Sequence, residues 1–198
     1  MAADLEVVEL TPGHADDYAA LFDRSFADNP EWAGCYCWFH DDASGLPWDS
    51  SHEQAAEHRR LRTTRIRAGE ARGLLAYLDG TAVGWCYVAP RSEIPNLRFA
   101  VEAVQEPEAN PAVIMCFVID PEHRGQGVAT ALLSGAIEAS ARWGVPWLEG
   151  YPADTAPNPD DEPFTTRAYT GPASMYRAAG FEIAREMDGW QVVRHPLR

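Results

Sequence analysis

Residues 113–119 read Val-Ile-Met-Cys-Phe-Val-Ile, and no other stretch of the chain constrains its fold as strongly. A short apolar run without alternation suits a strand buried on both faces. Asp120-Pro121-Glu122-His123 follows as a turn, then Arg124-Gly125-Gln126-Gly127-Val128-Ala129. From Val128 to Arg142 the apolar pairs 128/129, 132/133 and 136/137 repeat every four residues, which gives a helix with one buried stripe. Gly144 and Pro146 stop it. A central strand that feeds a covering helix through a glycine loop demands a layered α/β architecture. Glycines at 125 and 127 let backbone N–H groups converge on an anion, and the helix N-terminus adds about half a positive charge. A pyrophosphate would suit that cradle. The spacing is neither G-x-x-x-x-G-K-S/T nor G-x-G-x-x-G, so neither a P-loop nor a dinucleotide fingerprint is present. The alternative is that the two glycines only make a tight strand-to-helix turn.

The remaining segments are arranged around this unit. Residues 5–10 read as a first strand, and Thr11-Pro12 as the start of a helix through Tyr18, Leu21 and Phe22. Residues 28–48 are rich in aromatics, Gly and Asp and read as an irregular loop. Ser50 and Glu53 form a possible capping box for a second helix ending near Gly69. Its arginines 59, 60, 62, 65 and 67 read as a solvated face. Residues 74–78 and 81–89 flank Asp79-Gly80, a type I′ hairpin signal. The prolines of 90–112 leave room for a short helix only. Residues 147–151 give another strand, 173–179 a short helix, and 181–187 with 190–195 a last hairpin around Asp188-Gly189. Between them, 152–172 is a Pro- and Asp-rich insertion of unusual length. The predicted order is β-α-α-β-β-β-α-β-α-β-β, one α/β domain over 1–198 with a mixed sheet.

Charge and cysteine usage narrow the partners. The formal net charge of −14 disfavours nucleic acid, which is bound by neutralising phosphates, and attracts cationic small molecules. Acidity for solubility alone is the competing explanation. No apolar run approaches the roughly 20 residues of a membrane span, and the acidic N-terminus is unlike a signal peptide. A cytoplasmic protein is expected. Four cysteines lie at 35, 37, 86 and 116. Cys35-Tyr36-Cys37 with His40 lacks the spacing and the second ligand pair of a zinc site. No metal is expected, and the segment reads as an extended stretch packing two small side chains on one face.

Arg-Gly-Gln-Gly-Val-Ala after an apolar strand and Asp-Pro-Glu-His resembles motif A of the GNAT superfamily (GCN5-related N-acetyltransferases), Q/R-x-x-G-x-G/A. Ser174-Met175-Tyr176-Arg177-Ala178-Ala179-Gly180-Phe181 resembles the family's closing helix, with Tyr four residues before Gly-Phe. The element order matches over nearly the whole chain. The segments Cys35-Tyr36-Cys37-Trp38 and Gly84-Trp85-Cys86 resemble a poorly characterised bacterial subgroup, which fixes no substrate. The resemblance implies a mostly antiparallel mixed sheet splayed between the strands at 113–119 and 147–151, with acetyl-CoA as cosubstrate. Phe117, Val118 and Ile119 would pair through their backbones with the pantetheine arm. Backbone N–H groups of Gly125, Gln126, Gly127, Val128, Ala129 and Thr130, behind Arg124, would hold the pyrophosphate. A homodimer is expected only by analogy with the superfamily.

Acetyl transfer to an amine needs an acid for the leaving thiolate. The resemblance gives that role to Tyr176; the competing role is core packing. Glu149, alone on an otherwise apolar strand, should be either partnered or functional. It is similar in position to the base of ribosomal-protein N-terminal acetyltransferases, and the alternatives are a structural ion pair with an arginine or direct attack with water as proton acceptor. Those relatives place an Asn shortly after the strand where this chain has Pro152-Ala153-Asp154. The expected activity is N-acetylation of a small cationic amine, such as an aminoglycoside-like compound or a polyamine. A protein or peptide N-acetyltransferase and a non-catalytic acyl-CoA sensor are the alternatives.

Overall fold

A computed structural model describes residues 5–27, 32–43, 52–97, 109–152 and 168–197. Its strands are β1 (Leu5–Glu9), β2 (Leu74–Leu78), β3 (Thr81–Pro90), β4 (Ala112–Ile119), β5 (Trp147–Gly150), β6 (Glu182–Met187) and β7 (Trp190–Pro196). Its helices are α1 (Ala15–Ser25), α2 (Ala55–Arg67), α3 (Val128–Arg142) and α4 (Ala173–Ala178). Among the described residues the strands form one sheet in the order β1-β2-β3-β4-β5-β7-β6. Every neighbouring pair is antiparallel except β4 with β5. This is the mixed, mostly antiparallel sheet flanked by helices that the sequence predicts. No helix among the described residues is long and apolar enough to cross a membrane.

Two cores lie on opposite faces of the sheet. One packs Tyr18, Leu21 and Phe22 of α1 and Ile66 of α2 against Leu75, Trp85 and Tyr87. The other packs Leu132, Leu133 and Ala136 of α3 against Leu74, Val88 and Ile114. Close approach of α3 to β3 depends on Gly84, where a Cβ would fall 2.6 Å from Val128 Cγ1. The β2–β3 hairpin is the predicted one, with Asp79 at φ +49° and Gly80 at φ +77°. In the β6–β7 turn Gly189 has positive φ and Asp188 does not, so that turn is not type I′.

Two features of β4 create the site. Its register against β3 shifts between Tyr87↔Cys116 and Val88↔Ile114, which leaves Met115 as an extra, bulged residue. Side chains alternate faces along a strand, but the bulge puts both Met115 and Cys116 on the α1/α2 face, with Phe117 returned to the α3 face. The parallel pairing of β4 with β5 is limited to Ala112↔Leu148 and Val113↔Glu149. Beyond these pairs the strands part, as the resemblance implies.

Three local expectations are corrected. The arginines of α2 do not form a uniformly solvated face, because Arg62 is fully buried. At helical spacing it shares a face with buried Ile66, and it pairs with Asp41, itself buried. Residues 35–37 are not extended: Tyr36 and Cys37 turn through φ +42° and +47°. This left-handed pair is held where Tyr18 donates its hydroxyl to the Tyr36 carbonyl at 2.6 Å and Tyr36 donates to Asp23. Finally, Pro12–His14 forms a 3-10 turn, and α1 begins only at Ala15. Ser50 and residues 153–167 of the insertion lie outside the described residues.

Candidate active site

The glycine loop is built for close approach to backbone. Gly125 has φ +72° and Gly127 φ +85°, and a Cβ on either would meet nothing within 4 Å. The loop is therefore open where an anion would sit, and its glycines serve conformation rather than packing. A 3-10 turn at Pro121–His123 leads into it, capped by Asp120, whose side chain accepts from the Glu122 N–H at 3.1 Å. Arg24 of α1 fixes Asp120 through an ion pair at 3.1 Å. Gly127 is the N-cap of α3, so the first N–H groups of that helix point into the loop without intrahelical acceptors. Val128 is buried as the anchor of the helix, while Arg124, Gln126 and Thr130 are exposed and Ala129 is half-buried. Gln126 Nε2 donates back to the Glu122 carbonyl at 2.8 Å, and Arg124 Nε to the Ile119 carbonyl at 3.3 Å.

From this cradle the open edge of β4 runs along Ile119, Val118 and Phe117 into the gap beside β5. Tyr176 fills the gap from the α3 face. It is fully buried, and its ring lies over Gly150, where a Cβ would come within 2.4 Å of Cε1. Its hydroxyl donates to the Thr170 carbonyl at 2.7 Å. Burial pushes its phenol well above the ordinary value, and the neighbouring thiols of Cys86 and Cys116 add to the shift. The hydroxyl is thus a proton carrier at neutral pH.

Glu149 lies on the other face of β5 with no exposed surface. Its carboxylate accepts from Tyr151 Oη at 2.8 Å, Trp147 Nε1 at 3.1 Å and Arg194 Nε at 2.9 Å. The Arg194 guanidinium also lies 4.6 Å from the Trp147 ring centroid. A carboxylate engaged by three donors fits the structural ion-pair alternative better than the base role, since a base must reach the proton it takes.

On the α1/α2 face, next to β4, is a pocket of about 140 Å³. Phe26, Trp32 and Phe39 line it together with Cys116 and Val118 of β4 and, at the strand edge, Phe117, whose side chain packs in the α3-face core. Cys35, Cys37, His40 and Tyr169 are the other described residues that line it. None of these side chains is a carboxylate, lysine or arginine. Burial, with Arg62 adding to it, lowers His40 to about 3, so its imidazole is neutral near pH 7. The four cysteines are free thiols, and the described residues contain no metal-binding group.

Arg62 is the hub behind this pocket. Its guanidinium carbon lies 4.8 Å from the Tyr87 ring centroid, 5.5 Å from Trp85 and 5.6 Å from Tyr18. Asp41 completes the cage, accepting from Arg62 and, at 3.1 Å, from Tyr87 Oη. Arg65 approaches the same carboxylate at 3.4 Å. Sequence reasoning misses this cage. The one signal that could find it is the i,i+4 spacing of Arg62 and Ile66, which places an arginine on the apolar side of α2.

Comparison with known proteins agrees with this geometry. The chain aligns over 98% of its length with the PaiA N-acetyltransferase of Thermoplasma acidophilum solved with coenzyme A, covering 99% of that chain (15% identity, TM-score 0.53). It aligns equally far with the YncA protein of Salmonella typhimurium solved with its cofactor acetyl-CoA, covering 94% of that chain (12% identity, TM-score 0.54). Against a GCN5-related N-acetyltransferase from Kribbella flavida it covers 91% of its own length and spans only 33% of that chain (21% identity, TM-score 0.49). Identities this low speak for fold alone. A search of curated proteins by sequence finds no match. The model of the acetyltransferase (GNAT) family matches residues 32–156, which take in the pocket wall except Phe26 and Tyr169, the bulged strand, the glycine loop and β5. With the sheet, splay and glycine loop of that family in place, the chain belongs to the GNAT acetyltransferases.

Proposed function

We propose that the protein is an acetyl-CoA-dependent N-acetyltransferase that acylates a primary amine. The observation that carries this reading is the meeting of the open glycine loop and the β4 edge with a protonated, buried phenol in the β4–β5 gap. The residues present fit the cosubstrate. Backbone N–H groups from Gly125 to Thr130 would hold its pyrophosphate, and the Phe117–Val118–Ile119 edge would pair with its pantetheine arm. Bound acetyl-CoA would supply an activated acyl group to a neutral amine. Tyr176 Oη holds the proton that the departing sulfur needs, once its bond to the Thr170 carbonyl is exchanged. Glu149 keeps Tyr151 and Arg194 in place, and water takes the proton of the amine. A cytoplasmic, reducing setting suits four free thiols.

The net charge of −14 favours a cationic acceptor. The expected aminoglycoside-like compound or polyamine fits less well, because each carries several ammonium groups and the described lining residues offer them no counter-charge. A test is acetyl-CoA consumption by the purified protein with amines, with short peptides and with no acceptor. Amine-dependent release of CoA, with the acetylated amine identified by mass, is the expected result. Tight acetyl-CoA binding without turnover on any acceptor would make the protein a sensor instead.

A further inference from the structure

The pocket beside β4 has a composition that a general amine site does not need. Trp32, Phe39, Phe26 and Tyr169 surround it with ring faces and edges, and Cys35 and Cys116 add sulfur. Trp32 and Tyr169 lie 6.4 Å apart at 44° between ring planes, a tilted pair. Among the described residues near this wall, Asp41 is engaged by Arg62 and Arg65 and Asp23 by Arg59. Among the described residues the lining therefore offers dispersion and sulfur–ring contacts and no charged side chain. Size is the second observation. At about 140 Å³ the pocket matches an apolar cavity of roughly 150 Å³, which admits one benzene ring.

We infer that this pocket takes the aryl ring of a monoamine acceptor, an arylalkylamine whose single amino group reaches back to the β4–β5 gap. The inference rests on the proposed acetyl transfer and adds the acceptor class to it. A ring fills the space and meets aromatic and sulfur neighbours on its faces and edges. One ammonium is drawn in by the acidic surface and deprotonated at the gap, where no counter-charge is required. A polyamine or aminoglycoside would have to bury further ammonium groups with ring faces, and no carboxylate among the described lining residues, to offset their desolvation.

The experiment compares 2-phenylethylamine, propylamine, spermidine and a short peptide as acceptors, and follows 2-phenylethylamine binding to the CoA-loaded protein by saturation-transfer NMR. 2-Phenylethylamine should have the highest kcat/KM. Trp32→Ala should lower that value about 10–100-fold through the acceptor KM, corresponding to one to two factors of 1.4 kcal/mol. Cys35→Phe, which fills the pocket from its half-buried rim, should weaken the same acceptor and serves as the test in its own right if Trp32→Ala does not fold. Ring binding that both variants abolish, without turnover, would support the pocket assignment while acetyl transfer fails. Turnover of spermidine or peptide with no binding of 2-phenylethylamine would overturn the assignment and leave acetyl transfer standing. Neither binding nor turnover would overturn both. Faster transfer from phenylacetyl-CoA than from acetyl-CoA to propylamine would place the ring on the donor side and overturn the acceptor assignment.

Discussion

The glycine loop and the aromatic pocket wall flank the same strand and are made in opposite ways. The loop, from Gly125 to Thr130, is continuous in sequence and works through its backbone; a Cβ at either glycine would touch nothing within 4 Å. The wall is made of side chains from the end of α1, residues 32–40, β4 and the segment before α4, and next to His40 the chain is pinned by the buried Arg62–Asp41 pair. A site made of backbone tolerates changes in its neighbours but not in its own φ angles. A site made of side chains fails when its support is removed. Four perturbations test that contrast.

The largest effect is expected at Tyr176, where the two halves meet. Tyr176→Phe keeps the ring over Gly150 and removes the hydroxyl. The kcat should fall on the order of 10²–10⁴-fold, about 3–5.5 kcal/mol in barrier, with acetyl-CoA affinity little changed. Steady-state kinetics on the folded variant would check this, and a near wild-type kcat would remove the acid role. Next is Arg62→Leu, which leaves buried Asp41 only Arg65 at 3.4 Å and the Tyr87 hydroxyl as partners. Breaking a buried pair in this way costs about 3–5 kcal/mol of stability. Urea unfolding should also show the Arg62→Leu/Asp41→Leu double variant to be less destabilised than the sum of the single variants, as coupled partners require.

Gly127→Val tests the backbone half. A β-branched residue at φ +85° is strained by about 1–3 kcal/mol, and the strain falls on the loop that meets the anion. Calorimetry should give an acetyl-CoA affinity weaker by roughly 5- to 150-fold, with the pocket wall intact. Unchanged affinity would move the cofactor away from this loop. The smallest effect concerns His40. Its value is about 3 in the fold against 6.5 when unfolded, so between those pH values only the unfolded chain takes up the proton. The stability at issue is complete above pH 6.5 and is lost as pH falls toward about 3. Between pH 7 and pH 5 the loss is about 1–2 kcal/mol. His40→Phe should flatten that slope in urea titrations at the two pH values.

The same contrast explains what can be read from residues alone. Strand, glycine loop and helix over 113–142 are local patterns, and the structure places β4 and α3 within a residue of the predicted bounds. The β2–β3 turn is also local, because Asp-Gly suits two consecutive positive φ angles. Arg62 escapes such a reading because five arginines on one helix look alike in sequence, and which of them faces inward depends on where α2 docks. Cys35 to Cys37 escape it because their left-handed turn is held by Tyr18 and Asp23, partners that spacing does not reveal. Glu149 stands out as anomalous on an apolar strand, yet its partner Arg194 comes from β7, 45 residues away.

The sequence by itself determined a layered α/β chain and the place of its glycine loop, because both follow from short-range periodicity and backbone requirements; the family and the tyrosine of the closing helix were legible only through the resemblance of their motifs. Tertiary structure decided the rest. The bulge at Met115 turns Cys116 onto the α1/α2 face, the parting of β4 from β5 after two residue pairs opens the gap, and the Arg62–Asp41 cage lies behind an apolar wall within an acidic protein. Each of these is a contact between segments far apart in the chain, which only packing against a common sheet brings together.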